Sequence, residues 1–265
     1  MIIDKNYLLS YKSLIFQMVR RDILSRYRGS MLGVVWSFLT PLSMLLIYVL
    51  FFQVILKTRW SIGEGDTANF AVILFSGLVI HSIFADVLSR SPTAISSNPN
   101  YVKKIVFPLE LLPFVGTITA LVHGLISVMV LLLVILVTER SIPLSILWIP
   151  LILLPFVLFL FGMSWFLAAI GVFFRDINQI TGPVITALLF LSPIFYPVSS
   201  LPHWMAGIIY LNPLTLIVQQ MRVVLIFSDA PDFGALLLYS VLATAVMMSG
   251  LKFFIWVRKS FADVL

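Results

Sequence analysis

Long apolar runs separated by short polar segments constrain this chain more than any other feature of its sequence. A helix needs about 20 apolar residues to cross a hydrocarbon core. The runs cover residues 31–56, 69–90, 105–137, 144–174, 179–198 and 233–257. Because backbone polar groups find no water in lipid, single spans must be helical. Hydrophobic residues make up 61% of the chain and charged residues 11%, against about half and a quarter in soluble domains. We therefore predict an all-α integral membrane protein with six transmembrane helices.

Lysine and arginine predict the orientation of these spans, because cytosolic segments are enriched in both residues. With both termini in the cytosol, most of the 17 basic residues lie inside. The outer side keeps Lys57, Arg59, Arg140 and Arg222. The basic residues flank apolar spans instead of forming one solvated face, which argues against a nucleic-acid partner.

Residues 11–28 are typical of an amphipathic helix that lies on a membrane surface. Their apolar side chains recur at helical spacing, with basic and polar side chains on the other side. The apolar set is Leu14, Ile15, Met18, Val19, Ile23 and Tyr27. The segment runs without a spacer into the first span, so a soluble partner could grip it to move the membrane part. A simple anchor at the lipid headgroups explains the same pattern.

Residues 199–232 contain no continuous span, because Pro202, Gly207 and the Asn212-Pro213 pair interrupt them. A single crossing here would carry the basic C-terminal residues outside, against the charge rule. We predict a re-entrant pair of short helices between spans five and six. Irregular backbone at that depth is tolerated only when it is buried in protein or faces a water-filled cavity, which places the region beside a pathway.

Few residues indicate chemistry. No G-x-x-x-x-G-K-[ST] sequence occurs, so we expect no ATP hydrolysis by this chain and an external source of nucleotide energy. His81, His123 and His203 lack neighbours at ligand spacing, and no metal site is predicted. Asp86 precedes Arg90 by four residues, which favours an ion pair within one helix.

A subset of the aromatic residues has a position suited to transport. It lies in the outer half of span one and in span five beside the re-entrant segment. The candidates are Tyr48, Phe51, Phe52, Phe190, Phe195 and Tyr196. Flat rings stack on sugars with few fixed hydrogen bonds, so they would let a glycan slide. For any single one of them, packing between helices is the simpler interpretation.

Four motifs occur in order along nearly the whole chain. They are Arg26-Tyr27-Arg28-Gly29-Ser30-Met31-Leu32-Gly33 followed by Trp36 and Pro41, Phe174-Arg175-Asp176-Ile177, Ser192-Pro193-Ile194-Phe195-Tyr196-Pro197, and Asn212-Pro213-Leu214. In this arrangement the chain resembles the transmembrane subunits of type-2 ABC exporters for polysaccharides, the Wzm-like permeases that export lipid-linked O-antigen.

The resemblance implies a homodimer in a bacterial inner membrane, paired with two copies of a separate ATPase subunit that holds the ATP and Mg²⁺. Spans one and five would line a glycan-wide channel, and residues 199–232 would form its periplasmic gate. The ATPase would contact the 11–28 helix and the cytosolic loop 91–104, which contains a coupling helix in this family. The coupling candidates are Asn98, Tyr101, Lys103, Arg175 and Asp176.

The substrate implied by the resemblance is a glycan carried on undecaprenyl diphosphate, which enters from the bilayer. A cluster of arginines in and beside the 11–28 helix could contact the lipid diphosphate or the ATPase, since each basic residue near a membrane surface contributes about 1 kcal/mol. The candidates are Arg20, Arg21, Arg26 and Arg28. Topology-setting charge is the alternative role, and no cofactor is expected on this chain.

Other functions stay open at this point. Capsule and teichoic-acid exporters share the architecture that the resemblance implies. A proton-coupled carrier would need His81 or His123 to titrate, although a neutral imidazole bonded to a neighbouring helix explains both. A membrane-embedded sugar transferase would need clustered carboxylates, whereas the acidic residues here are dispersed.

Overall fold

The computed structural model describes residues 10–55, 60–61, 67–68, 70–103, 107–140 and 143–265. Helices dominate these residues. In chain order they are α1 (Lys12–Arg26), α2 (Trp36–Tyr48), α3 (Phe70–Arg90), α4 (Pro99–Lys103), α5 (Leu111–Glu139), α6 (Ile149–Phe173), α7 (Ile177–Leu191), α8 (His203–Tyr210), α9 (Pro213–Leu225), α10 (Phe233–Val257) and α11 (Phe261–Val264). A π-helix, Val49–Ile55, continues α2.

One small departure from an all-α fold lies between α2 and α3. Strand β1 (Trp60–Ser61) pairs antiparallel with strand β2 (Thr67–Ala68), and Trp60 lies opposite Ala68. Two residues per strand are too few to form an independent sheet, so the fold remains a helical bundle.

Five helical segments among the described residues are long and apolar enough to cross a membrane. They are Gly33–Phe52, Val72–Thr93, Leu111–Val137, Leu144–Phe173 and Phe233–Val264. Two shorter apolar helices, Ile177–Leu191 and Pro213–Leu225, accompany them. The protein is therefore a helical membrane protein, as the apolar runs predict.

The predicted fifth span, 179–198, is shorter than expected. Its helix, α7, has 15 residues and ends at Leu191, a length of about 22 Å. The chain then passes through Ser192-Pro193, where proline cannot donate a backbone hydrogen bond. Residues 192–197 continue without regular helix, so regular helix covers only the first part of the run 179–198.

Helix α3 lies at the centre of the bundle, whereas the first span lies at its edge. In the most apolar window of each segment, 72% of the residues of Val72–Thr93 are buried, against 11% of those of Gly33–Phe52. Helices α6 and α10 pack closely at Gly162, where a β-carbon would lie 2.6 Å from the carbonyl carbon of Val246. The absence of a side chain at Gly162 permits this backbone approach.

The predicted surface helix is present as α1, and its apolar face packs on protein. Met18 and Val19 are buried, in a cluster that includes Leu112 and Val115 of α5. Leu14, Ile15 and Ile23 pack partly buried against the same cluster. The helical spacing of apolar residues thus identifies the buried face of α1 correctly.

Candidate functional site

Two places in the bundle bring most of the predicted residues together. The first, which we call the basic end, contains α1, the end of α3, α4 and the start of α5. The second, which we call the aromatic end, contains the π-helix after α2, the start of α3 and the segment that follows α7. They lie at opposite ends of α3.

Two ion pairs at the basic end join α1 to α3. Arg90 Nη2 donates to Asp22 Oδ1 at 3.0 Å, and Arg26 Nη2 lies 2.5 Å from both carboxylate oxygens of Asp86. The predicted pair between Asp86 and Arg90 within α3 is therefore wrong. Each helix carries an aspartate four residues before an arginine, and antiparallel contact of the two helices gives each aspartate the arginine of the other helix.

Tyr27 adds a third contact between the end of α1 and the bundle. Its hydroxyl lies 3.3 Å from Nδ1 of His123 on α5, and the two rings meet edge to face. Burial raises the pKa of the Tyr27 hydroxyl, which keeps it neutral. His81, the other deep histidine, has its Nε2 3.1 Å from the carbonyl oxygen of Ile185 on α7. Both imidazoles thus have partners on other elements, the structural role that the sequence allows for them.

Helix α4 lies within the predicted coupling loop and contacts α1. Arg21 Nη1 donates to the Tyr101 hydroxyl at 3.3 Å, and the Tyr101 ring lies 4.6 Å from that of Phe107. Asn98 donates from Nδ2 to the carbonyl oxygen of Ala94 at 3.0 Å, which stabilises the turn before α4. Lys103 is exposed at the end of α4.

Two other coupling candidates lie on a different element. Arg175 and Asp176 are exposed at the turn between α6 and α7. Adjacent residues do not share a helix face, and no hydrogen bond places either side chain against α1 or α4 among the described contacts. Of the five coupling candidates, Tyr101 is the one with a side-chain bond to α1.

The four candidate arginines divide into two groups. Arg26 is engaged by Asp86. The other three line an open pocket of about 570 Å³ on the surface of α1, together with a glutamine, a leucine and a serine. The lining residues are Gln17, Arg20, Arg21, Leu24, Ser25 and Arg28. Three guanidinium groups around one cavity suit an anion.

Two glycines shape the connection from α1 to α2. Gly29 has φ 84° and Gly33 has φ 53°, in the left-handed region that side chains disfavour. A β-carbon at either position would meet no atom within 4 Å, so backbone conformation and not space requires glycine there. These residues turn the chain from the basic end into the first span.

The six aromatic candidates form one continuous cluster at the aromatic end. The Phe52 ring lies 6.4 Å from that of Tyr48, 5.2 Å from Phe51 and 6.1 Å from Phe195. The Phe195 ring lies 5.8 Å from that of Phe190. The Tyr196 hydroxyl donates to the Phe190 carbonyl oxygen at 2.9 Å. Phe51 and Phe190 are 46% and 62% exposed. The cluster thus has a buried side and an open side.

Sequence reasoning misses two residues here. Phe70 is the first residue of α3, and its ring lies 5.4 Å from that of Phe52. An aromatic residue at the outer start of the second span is the sequence signal that could have identified it. Arg222, which the charge rule places on the outer side, is 7% exposed and donates to backbone carbonyls. Its position as the one charged residue of a 13-residue helix is the sequence signal that indicates burial.

The described residues contain no group of three or more histidine or acidic side chains that could hold a metal ion. Guanidinium groups characterise one end of the bundle, and aromatic rings characterise the other.

Comparison with known proteins decides the family. The sequence profile of the ABC-2 type transporter matches residues 13–226. The chain belongs to the ABC-2 type transporter family. The matched region of this ABC-2 permease begins in α1 and ends just after α9, so it includes both the basic end and the aromatic end. The sequence of the permease contains no P-loop.

Several characterised relatives align with this ABC-2 permease. An O-antigen export system permease protein of Myxococcus xanthus is 27% identical over 258 residues, which cover 97% of this chain and 96% of the relative. A protein of the same name from Klebsiella pneumoniae is 30% identical over 224 residues, 84% of each chain. A polysialic acid transport protein of Escherichia coli is 25% identical over 210 residues, 76% of this chain and 77% of the relative.

Proposed function

We propose that this ABC-2 permease forms the channel of an ATP-driven exporter that moves lipid-linked O-antigen across a bacterial inner membrane. The similarity to O-antigen permeases over 97% of the chain carries this proposal. The glycan would be linked to undecaprenyl diphosphate. A capsule exporter is the second candidate, favoured by the similarity to polysialic acid transport proteins, and a teichoic-acid exporter would use the same architecture.

The aromatic cluster is the proposed wall of the glycan path. Phe51 and Phe190 are about half exposed on its open side, while Phe52 and Phe195 join them to the bundle. Rings that are held by other rings keep a flat surface without offering fixed hydrogen bonds. Such a surface suits a polymer that must advance step by step.

A homodimer would complete this path. Helix α2 buries Leu45 but exposes many other apolar side chains, including Phe38, Met44 and Ile47. Helix α7 exposes Ile180 and Val184. Lipid can cover one side of α2, and a second copy across a channel would give the other side its neighbour. In this arrangement α7 would cross the membrane as the fifth of six spans, and α8 and α9 would enter from the periplasmic side as the gate.

The basic end is the proposed contact with a separate ATPase subunit, which would supply the ATP and Mg²⁺. With both termini in the cytosol, α1 and α4 lie on the ATPase side. The bond between Arg21 and Tyr101 joins these two helices, so a force on one reaches the other. Arg20 and Arg28 line the open pocket beside them, where the lipid diphosphate or an acidic ATPase surface would bind.

The first test asks what the permease assembles with. We expect affinity purification from native membranes in mild detergent to recover an ATPase subunit at a fixed ratio. Cells that lack the permease should accumulate lipid-linked glycan on the cytosolic side. Recovery without any ATPase, or unchanged surface glycan in the deleted cells, would refute the exporter.

The second test addresses the arginine pocket. Replacing Arg20 and Arg21 with glutamine should slow export while leaving the amount of permease in the membrane unchanged, because two of the three cationic groups of the pocket are removed. A matched exchange of Lys259, exposed near the C-terminus, should have no effect. If the double variant exports at the wild-type rate, these arginines act only in setting the orientation of the permease in the membrane.

A further inference from the structure

The break after α7 leaves backbone carbonyls that need donors. The last bond of the helix runs from Ser192 N to the carbonyl oxygen of Leu188 at 2.9 Å. Beyond it, Pro193 and Pro197 supply no N–H group. Buried or lipid-facing carbonyls without donors are costly, so another part of the chain must supply them.

Arg222 on α9 supplies the missing donors. Its Nη1 donates to the carbonyl oxygen of Pro193 at 2.6 Å and its Nη2 to that of Ile194 at 2.8 Å. Its Nε donates to the carbonyl oxygen of Ile73 on α3 at 3.4 Å. A planar guanidinium with five N–H donors can meet several acceptors in fixed directions. One side chain thus joins α9, the break and α3.

Two further contacts hold the break in the same place. Ile194 is fully buried against Gly77 of α3, where a β-carbon would lie 3.2 Å from the Ile194 Cγ1. Asn212, the residue that precedes and caps α9, donates from Nδ2 to the Ser192 hydroxyl at 2.9 Å. The same asparagine accepts from Leu214 N at 3.0 Å, so the start of α9 and the end of α7 are attached to each other.

Phe195, the central ring on this side of the aromatic cluster, directly follows Ile194. Its neighbours Phe52 and Phe190 belong to other elements, so a shift of the break would separate the rings. We propose that Arg222 is a positioning residue for the aromatic cluster: it replaces the helical hydrogen bonds lost at the break and so holds Phe195 in the wall. The transport consequence of this rests on the proposed function, whereas the positioning itself does not.

The positioning can be measured without transport. The chain contains no cysteine, so Ile194→Cys creates a single thiol at a site that is closed in the folded protein. Labelling of this thiol by a water-soluble maleimide in native membranes reports opening of the break. Removing charged hydrogen bonds with Arg222→Met should raise the labelling rate at least about tenfold.

A matched variant makes the same chemical change elsewhere. Arg140 is exposed after α5, and Arg140→Met should leave the labelling rate of the Ile194→Cys thiol unchanged. If Arg222→Met does not reach the membrane, Arg222→Lys keeps the charge but concentrates it at one point; labelling should still rise. A wild-type labelling rate in the Met or Lys variant would overturn the positioning role.

Export by the same variants, without the reporter cysteine, tests the link to transport. We expect Arg222→Lys to export less glycan than Arg140→Met at equal membrane levels. Raised labelling together with full export would overturn the claim that the positioning by Arg222 serves the glycan path. A wild-type permease that exports no glycan would refute the proposed function and leave the labelling result intact.

Discussion

Gly171 provides the sharpest test of the packing around residues 91–104, the proposed coupling loop. It lies near the end of α6, against the backbone of the 3₁₀ turn Ser91–Thr93 that leads towards α4. A β-carbon at this position would lie 2.7 Å from the carbonyl carbon of Pro92 and 2.8 Å from its Cα, and closer still to its carbonyl oxygen. Backbone atoms cannot rotate away from such a contact.

The size of the effect follows from these distances. Carbon atoms prefer separations of about 3.5–4.0 Å, so Gly171→Ala forces the turn and α6 apart by roughly 1 Å. Overpacking of this kind costs about 1–3 kcal/mol. Gly116 on α5 is the matched control, because a β-carbon there meets no atom within 4 Å. In an open helix position, alanine instead stabilises by about 0.5–1 kcal/mol.

The assay is thermal unfolding of both variants in the same detergent, followed by tryptophan fluorescence and by the monodisperse fraction that survives heating. A change of 1 kcal/mol shifts the midpoint by about 2–4 °C for chains of this size. We expect Gly171→Ala to unfold several degrees below the wild type and Gly116→Ala at or above it. Equal midpoints for the two variants would refute the close backbone contact between α6 and the turn.

Further predictions concern the two ends of the bundle. Asp86→Asn should weaken the attachment of α1 by about 1–2 kcal/mol, between the values for exposed and buried ion pairs. A double-mutant cycle with Arg26→Gln, measured by thermal unfolding, should give a coupling energy clearly above zero. Strict additivity of the two changes would contradict the ion pair. Phe52→Ala should lower export at unchanged membrane levels, because the Phe52 ring contacts Phe195. Phe166 on α6 is 42% exposed and lies outside the cluster, so Phe166→Ala should not lower export. Equal export by the two variants would contradict a role for the cluster.

The parts of the fold that local pattern determines could be predicted. The spacing of Met18 and Val19 identifies the buried face of α1, because helical periodicity is a property of the sequence itself. The Asn212-Pro213 pair correctly indicates a new helix, since asparagine caps it and proline suits its first turn. Ser192-Pro193 also indicates the end of α7 at Leu191, but the apolar residues that follow this pair make the run look like a continuous span.

The parts that depend on tertiary contact could not be predicted from spacing. Asp86 and Arg90 have the separation of a pair within one helix, and only the antiparallel approach of α1 gives each of them a different partner. In the sequence, Arg222 looks like a positive charge that sets topology. Only the break after α7 provides the carbonyl oxygens that accept its hydrogen bonds inside the protein. In both cases the deciding acceptor lies on another element.

Helix α3 connects the two ends on which the proposed function depends. Its last turns carry Asp86 and Arg90, which hold α1, and its first turns carry Ile73 and Gly77, which hold the break beside the aromatic cluster. The two sets of contacts are about 20 Å apart along the helix axis, and α3 contains no proline between them. A helix without an internal proline keeps its backbone hydrogen bonds along its length, so it can carry a displacement from one end to the other. We infer that a movement of α1 reaches the aromatic cluster through α3 as well as through the glycine junction into α2. A mutation that disrupts only one of these two routes should therefore weaken the coupling between α1 and the aromatic cluster without abolishing it.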